Sequence, residues 1–216
     1  MARHSQQRAI IKDFGVFDAY VPPSRSQRPS AFTSAYFKLI RKQLQHTFQN
    51  AYCMMQLKLK VPGSSRINLS NEGKRLYEEM NKAFARNDVE GVHSVCCDTL
   101  ASHLKREIKS RVSGKHLTSS KYSYSTSDLN ADVQSLRAGV LASGYTIAQI
   151  ILRIQGKEKM RLIDTVSGNV QKEKEKDVDE YIVLQKHVED ASDKWKVYGK
   201  LTPEQIQYAQ QHAMQA

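Results

Sequence analysis

Acid is what the first third of this chain lacks. No aspartate or glutamate occurs across residues 19–71, while eight cations do: Arg25, Arg28, Lys38, Arg41, Lys42, Lys58, Lys60 and Arg66. Residues 1–66 hold 11 Lys/Arg against 2 acids, residues 67–130 hold 10 against 8, and residues 131–216 hold 12 against 12. The formal charge of +11 therefore divides as +9, +2 and 0. A merely solvated helix mixes both signs, because opposite charges four apart support it. A long stretch of one sign lies against something acidic.

Cysteine is scarce too. Cys53, Cys96 and Cys97 are odd in number and have no Cys-x-x-Cys spacing, which excludes a disulfide framework or zinc module and leaves reduced structural thiols. Long apolar runs are missing: Ile147 to Ile154 is interrupted by Gln149 and Arg153, far short of the ~20 residues a spanning helix needs. The first twelve residues carry Arg3, Arg8 and Lys12 without an apolar core, which excludes a secretory signal and is compatible with a mitochondrial-type address. Catalytic signatures are absent: no Gly-rich phosphate loop, no His-Glu-x-x-His, no nucleophile elbow. His187-x-Glu189 has the spacing of a deaminase fragment, but no Pro-Cys-x-x-Cys follows. His93 and His103 match no ligand spacing. No cofactor, metal or catalytic residue is expected.

What is present is a succession of periodic segments. Residues 1–33, with Pro22, Pro23 and Pro29 among Ser, Gln and Arg, read as an extended basic arm that orders only on a partner. A single domain over 34–216 follows. Its first helix, 34–60, is amphipathic and basic: Phe37, Ile40, Leu44, Phe48, Tyr52, Met55 and Leu59 advance by three or four residues, a stripe expected to pack on the domain, and Val61-Pro62-Gly63 stops it. Helices are expected over about 71–112, the first capped at Ser70/Asn71 and the next running from Asp88 with Val89, Val92, Cys96, Leu100, Leu104 and Ile108 inward. The serine-rich stretch 113–131 reads as a loop. The period then becomes strand-like over about 133–201, with Gly168 to Lys176 as a charged turn, and Pro203 opens a last helix to 215. Helices followed by meandering strands make an α+β domain, with the helices packed on one face of a curved antiparallel sheet.

Several of these segments are recognisable together. Asn87 to Val92, Leu104 to Ile108, Gln149 to Ile154, Asp179 to Gln185 and Trp195 to Gly199 resemble the C-terminal domain shared by the inner-membrane scaffold of the mitochondrial import motor and its relatives. That family includes the fungal inner-membrane mitoribosome receptors and a related large-subunit mitochondrial ribosomal protein, and the Tyr20-Val21-Pro22-Pro23 arm is similar to the segment preceding the receptors' domain. The resemblance implies a cone-shaped, nuclear-transport-factor-like fold. It also implies peripheral attachment to the matrix side of the mitochondrial inner membrane and contact with the large mitoribosomal subunit near its exit tunnel. The long chaperone-binding region of the motor scaffold has no counterpart here, which argues for the ribosome role over the motor role.

The expected function is that of a non-enzymatic adaptor. It would hold the large subunit at the inner membrane, beside an insertase, so that nascent hydrophobic chains insert during synthesis. Arg25, Arg28, Lys38, Arg41, Lys42, Lys58, Lys60 and Arg66 are assigned to ribosomal RNA and protein. Binding to phosphates would weaken with salt, by roughly 0.7 to 0.9 log unit per contacted phosphate for each log unit of salt. Lys105, Arg106, Lys109, Arg111 and Lys115 are assigned to anionic lipid, worth about 1 kcal/mol per cation near the surface. Their competing role is to complement the helix dipole. The alternatives are an import-motor-type scaffold, or a small-molecule-binding or enzymatic cone with Asp98 or His103 facing a pocket. A deep pocket lined by a buried carboxylate and histidine would favour the latter.

Overall fold

The chain was described from a computed structural model, which describes residues 15–23, 28–113, 120–140, 144–164, 169–190 and 192–215. In chain order the elements are α1 (Ser34–Lys60), α2 (Arg66–Ala85), α3 (Val89–Val95), α4 (Asp98–Ser113), β1 (Ser120–Val140), β2 (Thr146–Asp164), β3 (Val170–His187), β4 (Lys196–Leu201) and α5 (Pro203–Gln215). The strands form one antiparallel meander in the order β1-β2-β3-β4. The fold is α+β, with five helices on a four-stranded sheet among the described residues.

Local chemistry explains the helix ends. Thr33 caps α1 by accepting from the Tyr36 amide, and Ser65 caps α2 by accepting from Asn68. The second helix thus begins before Ser70, the expected cap. The long helix expected from Asp88 is broken. Cys96 is extended, makes a parallel bridge with Val197, and the Cys97 amide donates to the Val197 carbonyl at 2.8 Å. Docking this link onto β4 uses backbone groups a continuous helix would have kept.

The sheet begins at Ser120, well before the expected 133. Tyr122, Tyr124 and Thr126 alternate with serines, the period of a strand with one facing side. The buried Tyr124 hydroxyl donates to Glu158, and Thr126 donates to Glu78 of α2. The supposed turn at 168–176 is, from Val170, the first half of β3. Its Lys/Glu alternation is a cross-strand ladder: Glu173 meets Arg161 (2.8 Å) and Lys159 (3.0 Å), and Glu175 meets Lys159 (3.4 Å). Register shifts in β1 at Ser127/Asn130 and Val133/Ser135 add the bulges that curve the sheet.

Both sheet faces are covered in the middle, which is why the strands read as nearly continuous apolar runs. On one face, Leu76, Tyr77 and Met80 of α2 pack with Val92 of α3, Cys96 of the link, and Ala101 and Ile108 of α4 against Ile150, Leu152, Ile154, Ile182, Leu184 and Val197. On the other, Ile151, Val183 and Leu201 are covered by Val21, with Val16, Ala19 and Ile206 of α5 beside them. The arm is therefore not free throughout: residues 15–23 are docked on their own sheet. Gln149, buried among strand residues, imitates a neighbouring strand by accepting from the Phe17 amide (2.9 Å) and donating to the Gly15 carbonyl (2.8 Å).

Candidate interaction surfaces

α1 is held to β1 by its polar residues. Asn50 donates to the Gln134 carbonyl (3.1 Å) and accepts from the Leu136 amide (3.1 Å), taking up backbone groups of the edge strand at its Val133/Ser135 bulge. Arg137 also donates to Asn50, and its guanidinium pairs with Asp18 of the arm at 2.7 Å. Leu39, His46 and Leu57 are the buried residues of the helix. Asn50→Ala removes these bonds and leaves buried β1 groups unpaired, so we expect a loss of about 1 to 3 kcal/mol in urea denaturation, with earlier amide exchange in α1.

This arrangement reverses the expected orientation of α1. Phe37, Leu44, Phe48, Tyr52, Met55 and Leu59, taken as core-facing, are 51 to 75% exposed. The helix has two opposed apolar faces, and the one carrying Asn50 and His46 turns inward because it can satisfy the bulged edge strand. What remains outside is a stripe roughly 33 Å long from Phe37 to Leu59, at about 1.5 Å per residue. Ahead of it stands Phe32, 90% exposed and held at φ 70°. Exposed apolar surface of this continuity marks an interaction face.

The eight cations assigned to RNA do not form one set. Arg28, Lys38, Arg41 and Lys58 are exposed, and Lys42 is half-buried. Lys60 is engaged with Glu189 (3.1 Å) and Thr146 (3.2 Å), and Arg66 with the Val133 carbonyl (2.5 Å). These two fasten the α1–α2 corner to the sheet. Hydrogen bonds from Thr146 and Lys60 outweigh partial burial and hold the Glu189 carboxyl down at about 2. Arg25 lies outside the described residues.

The second basic group also divides. Lys105, Arg106 and Lys109 are exposed along α4. Arg111 instead packs over the Phe84 ring at 4.1 Å, with Tyr122 at 5.6 Å, and donates to the Phe84 carbonyl. It is a structural side chain, and its burial lowers its pKa. Lys115 lies outside the described residues. The last turn of α4 thus meets β1 at Tyr122, and α1 meets the same strand at Gln134. Twelve residues separate these points, on the order of 40 Å along an extended strand. The exposed cations of α1 and α4 thus belong to two helices that touch β1 at different points.

Two buried titratable groups, the Tyr20 hydroxyl and His46 Nε2, have no hydrogen-bond partner among the described residues, whereas the Tyr77–Glu180 pair is fully bonded. Tyr77, fully buried, donates to Glu180 (3.1 Å), which also receives Lys200 at 2.5 Å. Burial pushes the Glu180 carboxyl up, but Lys200, Tyr77 and Lys176 together hold it below its ordinary value. Burial and the nearby Glu180 raise the Tyr77 hydroxyl. An ionised, bonded carboxylate facing a protonated phenol offers no free base. Asp98 and His103 are exposed on α4, and His103 faces Glu107 at 3.6 Å. A groove of about 1120 Å³ runs between the arm, α1 and α5, lined by Tyr20, His46, Tyr52, Arg137 and Tyr208. Its lining holds two carboxylates, Asp18 and Glu204, and two histidines, His46 and His212; Asp18 is paired with Arg137, and the His212 ring lies 4.2 Å from that of Tyr208. Among the described residues no helix is long and apolar enough to cross a membrane.

The model of the Tim44-like domain matches residues 68–201, and the chain belongs to that family. Among relatives it is similar to the large ribosomal subunit protein mL45 of Caenorhabditis briggsae, 24% identical over 203 residues, covering 90% of this chain and 54% of that protein. The mL45 of Xenopus tropicalis is 22% identical over 192 residues (88% and 60%), and that of Bos taurus 20% over 191 (87% and 60%). The chain thus spans little more than half the length of these relatives. A solved structure, the intermembrane space region of the chloroplast protein ARC6, aligns with a TM-score of 0.42 at 15% identity over 65% of this chain and 97% of that one, a likeness too loose to bear on the fold.

Proposed function

We propose that this protein is a non-enzymatic component of the large mitoribosomal subunit that holds the subunit against the anionic matrix face of the inner membrane, next to an insertase. The observation that carries this reading is that the exposed cations fall on two different helices, α1 and α4, which gives one protein two surfaces for acidic partners. α1, with Arg28, Lys38, Arg41, Lys42 and Lys58, is the ribosome side. α4, with Lys105, Arg106 and Lys109, is the lipid side. The family match and the mL45 relatives support a ribosomal assignment. Glu180, bound by Tyr77 and Lys200, is not a free base, which favours positioning over catalysis. Several weak charge contacts on one scaffold act together through high local concentration.

The exposed stripe on α1 favours a second reading, in which α1 and not α4 lies on the bilayer, because interfacial helices combine such a stripe with lysine and arginine. Charge reversal separates the two. Lys38→Glu with Arg41→Glu is expected to weaken co-sedimentation with large mitoribosomal subunits at least tenfold and leave flotation on cardiolipin-containing vesicles intact. The triple reversal of Lys105, Arg106 and Lys109 is expected to do the opposite. Exchanged results would install the second reading. Retention of both activities by both variants would remove the tether altogether.

A further inference from the structure

Three of the six exposed apolar side chains along the outer face of α1 are aromatic rings, and one cation, Arg41, stands among them. Taking about 100° per residue, Phe37, Arg41, Phe48 and Tyr52 project within about 60° of one another. Arg41 thus stands inside the line of rings. A helix lying in a bilayer interface sorts its charges to the borders of its apolar arc. The rings are open to solvent: Phe37 is 60%, Phe48 72% and Tyr52 61% exposed. At the head of the line, the turn from Ser30 to Thr33 is closed by bonds from the Thr33 amide and hydroxyl to the Ser30 carbonyl. It presents Phe32 in the left-handed region, where glycine or asparagine is the usual occupant. A bulky ring there is strained and hydrated, and gains nothing from the fold. Arg28 and Lys38 flank it, and no acid lies anywhere between residues 19 and 71.

Exposed π-faces and fixed positive charge are the two requirements for holding single-stranded nucleic acid: bases stack on the rings while phosphates meet the cations. Duplex RNA cannot use the rings, because its bases are already stacked. A second copy of this chain is excluded as the occupant, since pairing two such faces would oppose like charges. We infer that the outer face of α1, through Phe32, Phe37, Phe48 and Tyr52 with Arg28, Lys38 and Arg41, stacks on unpaired bases of RNA. This rests on the ribosome side having been placed on α1, and names what that side reads.

The probe is a fluorescein-labelled unstructured RNA of about a dozen nucleotides, a length within the range of common single-strand sites, titrated with the full chain beside a duplex of equal length. The unsubstituted chain should prefer the single strand by about tenfold or more. Phe32→Leu, Phe37→Leu and Phe48→Leu, which keep an apolar side chain but remove the ring, should together weaken single-strand binding at least about thirtyfold, within the range expected for lost stacking. The same triple variant should bind cardiolipin-containing vesicles within about twofold of the unsubstituted chain, because leucine partitions into lipid nearly as well. Unchanged RNA affinity in the triple variant, equal affinity for duplex, or a larger loss on vesicles than on RNA would each overturn the inference. Co-sedimentation with large mitoribosomal subunits keeps its failure apart from that of the parent reading. If the unsubstituted chain does not sediment, the ribosome side itself is wrong. If chain and triple variant sediment alike and bind RNA alike, stacking alone is wrong.

Discussion

Gly73→Leu is expected to yield a chain with no cooperative unfolding transition, the largest single-residue effect this fold offers. Gly73 sits inside α2, where glycine costs about 1 kcal/mol relative to alanine, so its presence needs a packing reason. A Cβ at that position would stand 2.2 Å from Leu152 Cδ1 and 3.8 Å from Leu184 Cδ1. Leu152 is the far end of a side chain and could in principle swing away, but it is fully buried among core residues with nowhere to go. A leucine there would have to separate α2 from β2, and overpacking with loss of neighbouring burial sums to about 4 kcal/mol or more. Gly73→Ala is milder, about 1 to 2 kcal/mol destabilising after the helix-propensity gain is subtracted. The decisive measurement is a double-mutant cycle. Leu152→Ala alone should cost about 2 to 5 kcal/mol, and adding Gly73→Ala should then be neutral or stabilising, because the new methyl occupies part of the vacated space. Additive costs in urea denaturation would show that the close approach of α2 to β2 is not what keeps the glycine.

The same contact illustrates what a single sequence discloses. Gly73 within an otherwise regular helix signals a close approach, but its partner lies on a strand some eighty positions away. The central strand segments are legible because burial on both faces makes them apolar: Ile147 to Ile154 and Ile182 to Leu184 announce themselves. Their outer halves do not. Residues 120–127, 157–164 and 170–177 owe their strand state to each other, through pairings such as Ser125 with Lys159 and Lys159 with Glu175. Each alone has the composition of a loop. Prolines among serine, glutamine and arginine make residues 1–33 look like an arm that orders only on a partner, yet the docking of residues 15–23 depends on Gln149 and Gln185, polar residues buried in strands.

The orientation of α1 was undecidable from spacing for a sharper reason. Phe37, Leu44, Phe48 and Leu59 form the more apolar face, and burial of the most apolar face is the ordinary rule. Here the opposite face wins, because β1 is an edge strand whose Gln134 carbonyl and Leu136 amide need partners and Asn50 supplies both. An unsatisfied buried backbone group costs about as much as an exposed leucine gains on burial, so satisfying two of them can decide which face turns inward. The discarded face then becomes the surface available for a partner. The same helix therefore explains why aromatic residues and a cation share that face without being core.

His46, on the inward side of that helix, should make the stability of this protein fall as pH drops from 6.5 toward 4. The imidazole is 4% exposed, meets Tyr20 edge-on at 5.1 Å between ring centres, and lies 3.4 Å through Nδ1 from the Asn50 amide nitrogen. Its Nε2 has no hydrogen-bond partner among the described residues. Burial first, then the positive Arg137 and Lys42 against the opposing pull of Asp18, hold its pKa down at about 4. The unfolded chain therefore takes up this proton at higher pH than the folded one does. Stability from the neutral imidazole is complete above pH 6.5 and is lost as the pH falls to about 4, with a limit of about 3 kcal/mol at 1.36 kcal/mol per pH unit. Carboxylates held down by the fold, such as Glu189 at about 2, begin to lose their contribution near pH 4.5, at the foot of this range, so the informative quantity is the difference between the unsubstituted chain and His46→Phe. Phenylalanine keeps the edge contact with Tyr20 and cannot be protonated. Its urea midpoint should track that of the unsubstituted chain near pH 7 to 8 and exceed it increasingly below pH 6, by an amount equivalent to about 2 kcal/mol at pH 4.5. Parallel pH profiles for the two chains would show that His46 is not buried as a neutral group, and that α1 is held to the sheet by Asn50 without it.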